Sequence, residues 1–269
     1  MHEIGHNFTL NSPADFYYGG KIDGNANAIF SESMAQIFQH AAAYEIINHA
    51  DAYGFSADLV AEIQASAIAS MNLVRNTYDD YVRTGAKFES WNDPDNPEDE
   101  TFGAFMTIAF KFFEHAETDG WEYRVPLKRM MRLLQVLDQD MVDHYDRMHD
   151  TPAAERFRST LMVTALSYGF DRDLRAEFGA LNFPIDDATY DSLIAAVRLP
   201  GDLDYDGDVD WFDHRLLAQC LGTLNGAKVG GPGESVSSVC ADADLNSDRA
   251  VDLIDIAILQ NGFQQPSSP

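Results

Sequence analysis

The feature that most constrains the fold of this chain is an internal repeat near its C-terminus. Asp202-Leu203-Asp204-Tyr205-Asp206-Gly207-Asp208-Val209-Asp210-Trp211-Phe212-Asp213 returns 42 residues later as Asp244-Leu245-Asn246-Ser247-Asp248-Arg249-Ala250-Val251-Asp252-Leu253-Ile254-Asp255. Oxygen donors at positions 1, 3, 5, 7, 9 and 12 are the spacing with which a twelve-residue loop wraps one calcium ion. In the first segment Asp202, Asp204, Asp206, Asp210 and Asp213 supply carboxylates. Asp208 falls where a backbone carbonyl would ligate, and Gly207 occupies position 6, where the loop turns sharply. In the second, Asp244, Asn246, Asp248, Asp252 and Asp255 fill the same places, with Ala250 at the carbonyl position. Arg249 replaces the turn glycine, so the second loop is expected to be strained or weaker. A solvated acidic linker is the alternative, but two segments in register argue against chance.

Only two cysteines occur, Cys220 and Cys240, and they flank a glycine- and serine-rich stretch from Gly222 to Val239. Joined, they would close a loop of about twenty residues and stabilise a small domain by about 3 kcal/mol. That pairing points to an oxidising, extracellular compartment; two free thiols are the other reading.

Aspartate instead of glutamate at position 12, and no entering helix, set the pair apart from signalling EF-hands. Over residues 201–262 the segment resembles a type I dockerin, the module that docks to cohesin domains in bacterial extracellular assemblies. The resemblance implies two calcium ions and a cohesin-like scaffold or surface protein as partner. It also implies docking through the helix after each loop, with positions 10 and 11 tuning partner choice. Here those positions are Trp211-Phe212 and Leu253-Ile254. Two roles are open to them: apolar anchors for a partner, or packing between the two small helices.

Upstream of Leu199-Pro200-Gly201 the sequence reads as helix after helix. Apolar residues recur at helical spacing over 26–50, 57–83, 103–117, 124–147, 152–168 and 187–198. Thr151-Pro152 predicts an N-cap followed by a first-turn proline, and Gly169 sits where a C-cap glycine would end that helix. The stretch Trp91 to Glu100, broken by Pro94 and Pro97, predicts a polar loop. The formal charge of −26 argues against a nucleic-acid partner and against anionic lipid. No apolar run approaches the length of a membrane span.

The chain opens with His2-Glu3-Ile4-Gly5-His6. On a helix, residues four apart share a face, so His2 and His6 can offer imidazole nitrogens to one zinc ion. Glu3 then lies close enough to take a proton from a metal-activated water without ligating the metal. A third ligand is needed. A metzincin would require glycine at position 9 and histidine at 12, where the chain has Thr9 and Ser12. The alternative takes a glutamate from a following helix, and Glu32 in Phe30-Ser31-Glu32-Ser33-Met34-Ala35-Gln36 supplies one. Glu32 shares a polar stripe with Gln36 and Gln39, while Met34 and Ile37 can face a core. Its other reading is an exposed helix residue. His40, Glu45 and His49 are weaker candidates, and Tyr17, Tyr18 and Tyr44 are oxyanion donors by residue type alone.

This motif, with Glu32 26 residues after His6, resembles the enhancin-like, mucin-targeting gluzincin metallopeptidases, peptidase family sixty. Residues Leu166 to Phe178 are similar to that family's late segment, where a helix and a glycine–aspartate–leucine turn lead into another helix. Asn182-Phe183-Pro184-Ile185 resembles the tryptophan–glycine–phenylalanine–proline–isoleucine element that follows, with Leu181-Asn182 in place of tryptophan–glycine. Asp173 and Phe178 in this stretch can be explained by capping and packing.

The expected architecture is therefore mainly α. Residues 1–199 would be the helical C-terminal part of a gluzincin catalytic domain. A small all-α dockerin with paired EF-hand-like calcium loops would follow at 200–263, then a disordered tail at 264–269. The expected function is a secreted zinc endopeptidase acting on proteins or glycoproteins, with one zinc and two calcium ions. The alternative is a non-catalytic, calcium-dependent interaction protein with a degenerate peptidase domain. No signal peptide follows Met1, and the motif lies where a helix's first N–H groups are unpaired. The expectation is an incomplete catalytic domain that binds zinc weakly by itself.

Overall fold

The computed structural model describes residues 5, 29–89, 102–120, 122–135, 151–197, 201–203, 209–224, 227–228, 240, 242–246 and 248–262, and among these described residues ten helices carry almost all of the regular structure. The chain divides into two units, Met1–Ile194 and Ala195–Pro269. The expected loop at 91–100, residues 136–147 of one expected helix, and the tail at 264–269 lie outside the described residues.

In the first unit, α1 (Ile29–Asn48), the short α2 (Ala50–Tyr53), α3 (Ala57–Arg83) and α4 (Phe102–Asp119) follow the apolar spacing read from the sequence. α1 packs against both α3 and α4, burying Met34, Ala35 and Ile37. Its polar stripe is not solvated as an exposed helix face would be. Gln36 is buried, and the Gln36 and Gln39 amides donate to Ser70 Oγ on α3 at 2.8 and 2.7 Å. Ser33 donates to the Phe105 carbonyl at 3.0 Å and ties α1 to α4.

α5 (Arg124–Gln135) packs against α6 (Pro152–Gly169). Thr151 caps α6, accepting from the Ala154 N–H at 3.3 Å, with Pro152 in the first turn. α6 is buried on nearly every side, so its hydroxyls need internal partners. Thr160 and Thr164 find them by donating to the carbonyls of Arg156 and Thr160, each at 2.7 Å.

Gly169 corrects the sequence reading. The helix runs through it, the C-cap is Phe170, and the left-handed residue is Asp171 at φ 49°. A Cβ on Gly169 would stand 3.0 Å from the Pro126 carbonyl oxygen and 3.1 Å from Met130 Cγ. The glycine is there so that α6 can approach α5 closely, not to end a helix.

The turn after α6 leads into α7 (Arg175–Ala180) and then α8 (Asp187–Val197). Asp173 accepts from the Arg175 N–H at 3.0 Å, and Phe178 is fully buried with its ring 4.9 Å from that of Phe183. Asn182 takes φ 61°, a left-handed conformation that asparagine tolerates better than most residues. Its amide donates to the carbonyls of Gly85 and Ala86 at 3.1 Å each. Asparagine therefore does the conformational work of a glycine here and adds a tether to the end of α3.

A partly buried ionic cluster joins α4 to α7. Lys111 Nζ lies 2.6 Å from Glu114 and 2.8 Å from Glu177, and His115 Nε2 lies 3.1 Å from Glu177. The hydrogen bond with His115, then those from Lys111, outweigh burial and hold the Glu177 carboxyl at about 2. Burial opposes the charge on Lys111, but the two carboxylates outweigh it and push its pKa up.

The second unit contains α9 (Trp211–Cys220) and α10 (Leu253–Gly262), which pack together. Its core is Leu203, Val209, Leu217, Cys220, Ala243, Val251 and Leu259. Val209 and Val251 are repeat equivalents, as are Leu217 and Leu259, so the sequence repeat is also a repeat of core positions. The unit is not purely helical: β1 (Thr223–Leu224) and β2 (Ala227–Lys228) form a two-residue antiparallel ladder just after α9.

Candidate functional site

Both calcium-loop segments close in the same way. Position 12 is an aspartate with no exposed surface in each case, Asp213 and Asp255. Asp213 Oδ1 accepts from the Leu203 N–H at 2.5 Å and Oδ2 from the Asp210 N–H at 2.7 Å. Asp255 Oδ1 accepts from the Leu245 N–H and Oδ2 from the Asp252 N–H, both at 2.8 Å. Asp210 and Asp252 then cap the exiting helices, accepting from the Phe212 and Ile254 N–H groups at 2.6 and 2.7 Å. One buried carboxylate thus ties the start of each loop to the start of the helix that leaves it.

The remaining second-loop side chains also turn to the backbone. Asp244 accepts from the N–H groups of Asp248 and Arg249 at 3.1 and 2.7 Å, and Asn246 Oδ1 accepts from the Asp248 N–H at 3.0 Å. Among the described residues no three His, Cys, Asp or Glu side chains converge as metal ligands would. Like-charged carboxylates repel one another, and the loop amides offer each a nearer partner. Every donor in the loop is a hard oxygen, the set calcium takes, and a carboxylate oxygen that accepts one N–H keeps a second lone-pair direction. The residues present therefore fit calcium. Asp202 is buried beside Leu203, whereas Asp204, Asp206 and Asp208 lie outside the described residues.

Arg249 stands at φ 74°. A side chain there costs about 1–2 kcal/mol that a glycine would not incur. Arg249→Gly is expected to tighten calcium at the second loop about five- to tenfold, read by calorimetric titration. Unchanged affinity would show that backbone strain does not limit this loop.

The two apolar pairs do not pack the small helices together. Trp211, Phe212, Leu253 and Ile254 are 62%, 55%, 75% and 54% exposed. The Trp211 ring stacks on His214 at 4.8 Å, and the Arg215 guanidinium lies 5.9 Å from the Phe212 ring. Cys220, at the end of α9, is bonded to Cys240, with their Cα atoms 5.1 Å apart.

Of the zinc motif only Gly5 lies among the described residues; His2, Glu3 and His6 lie outside them. Gly5 is helical and buried, and a Cβ built on it would stand 2.7 Å from Ala35 Cα. The backbone at Gly5 therefore meets α1 one turn after Glu32, which is itself half-buried. Gly5→Ala is expected to cost about 1–3 kcal/mol through overpacking, despite a helix-propensity gain of about 1 kcal/mol. Thermal unfolding measures it, and an unchanged midpoint would refute the close approach.

The weaker candidates scatter. His40 is buried against Phe113, and desolvation lowers its pKa to about 4. His49 and Glu45 are exposed, 3.8 Å apart. The Tyr44 ring meets that of Tyr123 at 4.8 Å with a tilt of 44°, beside a groove of about 250 Å³ that His40, Ile68 and Met71 also line; Tyr17 and Tyr18 lie outside the described residues.

Residues 200–264 match the family described as the dockerin type I domain. This part of the chain is a type I dockerin, a domain that binds calcium and docks to cohesin scaffolds. No curated protein and no solved structure matches the chain. No helix among the described residues is long and apolar enough to cross a membrane.

Proposed function

We propose that the chain is a zinc-dependent endopeptidase, acting on proteins or glycoproteins including mucin-like ones, and tethered by its dockerin to a cohesin-bearing scaffold or surface. The contact of Gly5 with Ala35 carries the enzymatic half of this reading. Residue 5 needs to lack a side chain for the motif to lie against the helix that bears Glu32. That is what a ligand set shared between two helices requires.

In this reading His2, His6 and Glu32 hold the metal, which supplies Lewis-acid polarisation of the scissile carbonyl when bound. Glu3 takes the proton of the attacking water and returns it to the leaving amine. The dockerin holds one calcium through Asp202, Asp204, Asp206, the Asp208 carbonyl, Asp210 and Asp213. It holds a second through Asp244, Asn246, Asp248, the Ala250 carbonyl, Asp252 and Asp255. Because dockerins occur in extracellular, cellulosome-type proteins, the proposed location is secreted or attached to the cell surface.

The test combines zinc titration with cleavage of casein and mucin, using Glu3→Gln as control. The unsubstituted chain is expected to bind up to one zinc, weakly, and to cleave slowly. Glu3→Gln should keep the zinc and lose at least about 100-fold in rate. Zinc binding without cleavage by either protein would favour the non-catalytic interaction protein, and no zinc binding would make the motif coincidental.

A further inference from the structure

The end of α9 does more than lead into the insertion. Within three residues it is joined once to the segment leading into the second calcium loop and once to the loop itself. Cys220 is bonded to Cys240, four residues before Asp244 opens that loop. The Gly222 N–H donates to the Val251 carbonyl at 2.9 Å, and Val251 directly follows Ala250, whose own carbonyl sits at ligand position 7. One short stretch therefore fixes both the entrance of the second loop and the backbone beside one of its ligands. Each loop also closes on its own position-12 aspartate, Asp213 in the first and Asp255 in the second.

The second loop is also the one in need of an external support. Its position 6 is Arg249, held at φ 74°, where the first loop has Gly207. Cys220 is buried in the unit's core, whereas Cys240 is half-buried.

From this we infer that the Cys220–Cys240 disulfide is a redox control on calcium loading of the second loop, and through it on docking. The inference rests on the dockerin calcium reading above. In the reducing step one thiolate of a dithiol attacks the Cys240 sulfur and the Cys220 sulfur leaves as a thiolate, which takes up a proton. The second dithiol sulfur then displaces Cys240 from the mixed disulfide. Two electrons pass to the protein, which ends with two thiols, and the dithiol ends as its cyclic disulfide. With the bond open, the Gly222–Val251 hydrogen bond and the apolar core remain, among the described residues, to hold α9 to the second loop. The constraint that the bond placed on the span between Cys220 and Cys240 is lost, and the added chain entropy opposes calcium binding.

The experiment is a calcium titration of the full chain followed by 15N–1H spectra, with the Gly207 and Arg249 amides reporting the two loops separately. It is run on the oxidised protein, on protein reduced with dithiothreitol, and on Cys220→Ala/Cys240→Ala. Reduction and substitution are each expected to weaken the second loop about tenfold, with the first loop unchanged within about twofold. Unchanged affinity at both loops would overturn the inference. Equal loss at both loops would also overturn it, because the bond would then support the whole unit and not one site. An oxidised chain that binds no calcium would overturn the calcium reading itself, a failure distinct from the other two.

Discussion

Asp213→Ala is expected to reduce the calcium stoichiometry of the dockerin from two to one and to destabilise that unit by about 3 kcal/mol. The Asp213 side chain is fully buried and accepts from the Leu203 and Asp210 N–H groups. Alanine leaves both donors without that acceptor, and each such group costs about 1–3 kcal/mol when buried. The same substitution removes the position-12 calcium ligand, so the lost stability cannot be regained by adding the ion. Calorimetric titration gives the stoichiometry, and thermal unfolding with and without calcium gives the stability. If Asp213→Ala still bound two calcium ions with an unchanged midpoint, position 12 would not be the clamp described. Asp255→Ala should behave alike, because Asp255 makes the equivalent pair of bonds.

Trp211→Ala combined with Phe212→Ala is expected to weaken cohesin binding by at least about 100-fold while leaving the fold and both calcium ions in place. Both side chains are more than half exposed, so little core packing is lost. Large aromatic residues at the centre of an interface typically contribute about 2 kcal/mol or more each on truncation. Leu253→Ala with Ile254→Ala should give a smaller loss, since the aliphatic pair offers less contact area. Binding measured against a panel of cohesin domains decides the matter. Equal affinity for the unsubstituted and Trp211→Ala/Phe212→Ala proteins, on every cohesin that binds, would show that this face is not used.

The dockerin was legible in the sequence because a calcium loop is a local object. Its donors lie within twelve consecutive residues, and the 42-residue offset repeats core and clamp positions together. The helices of the first unit were legible for the related reason that periodicity reports one face at a time. Their packing was not legible. Gly169 reads as a helix end because glycine is common there, yet it marks the approach of α6 to Pro126 and Met130. Asn182 reads as a departure from a glycine, yet it takes φ 61°, a left-handed conformation of the kind glycine favours.

By itself the sequence determined the residue types and spacings of the calcium loops and of the proposed zinc motif. These were the two histidines four apart, a glutamate on a later helix, and oxygen donors in two registered loops. Tertiary structure decided what spacing cannot express, since it depends on residues distant in the chain. It turned the Trp211 and Leu253 pairs outward, buried the stripe beside Glu32, and brought Gly5 against Ala35. It also joined the end of α9 to the second calcium loop, where a bond across twenty residues and a hydrogen bond act on one segment.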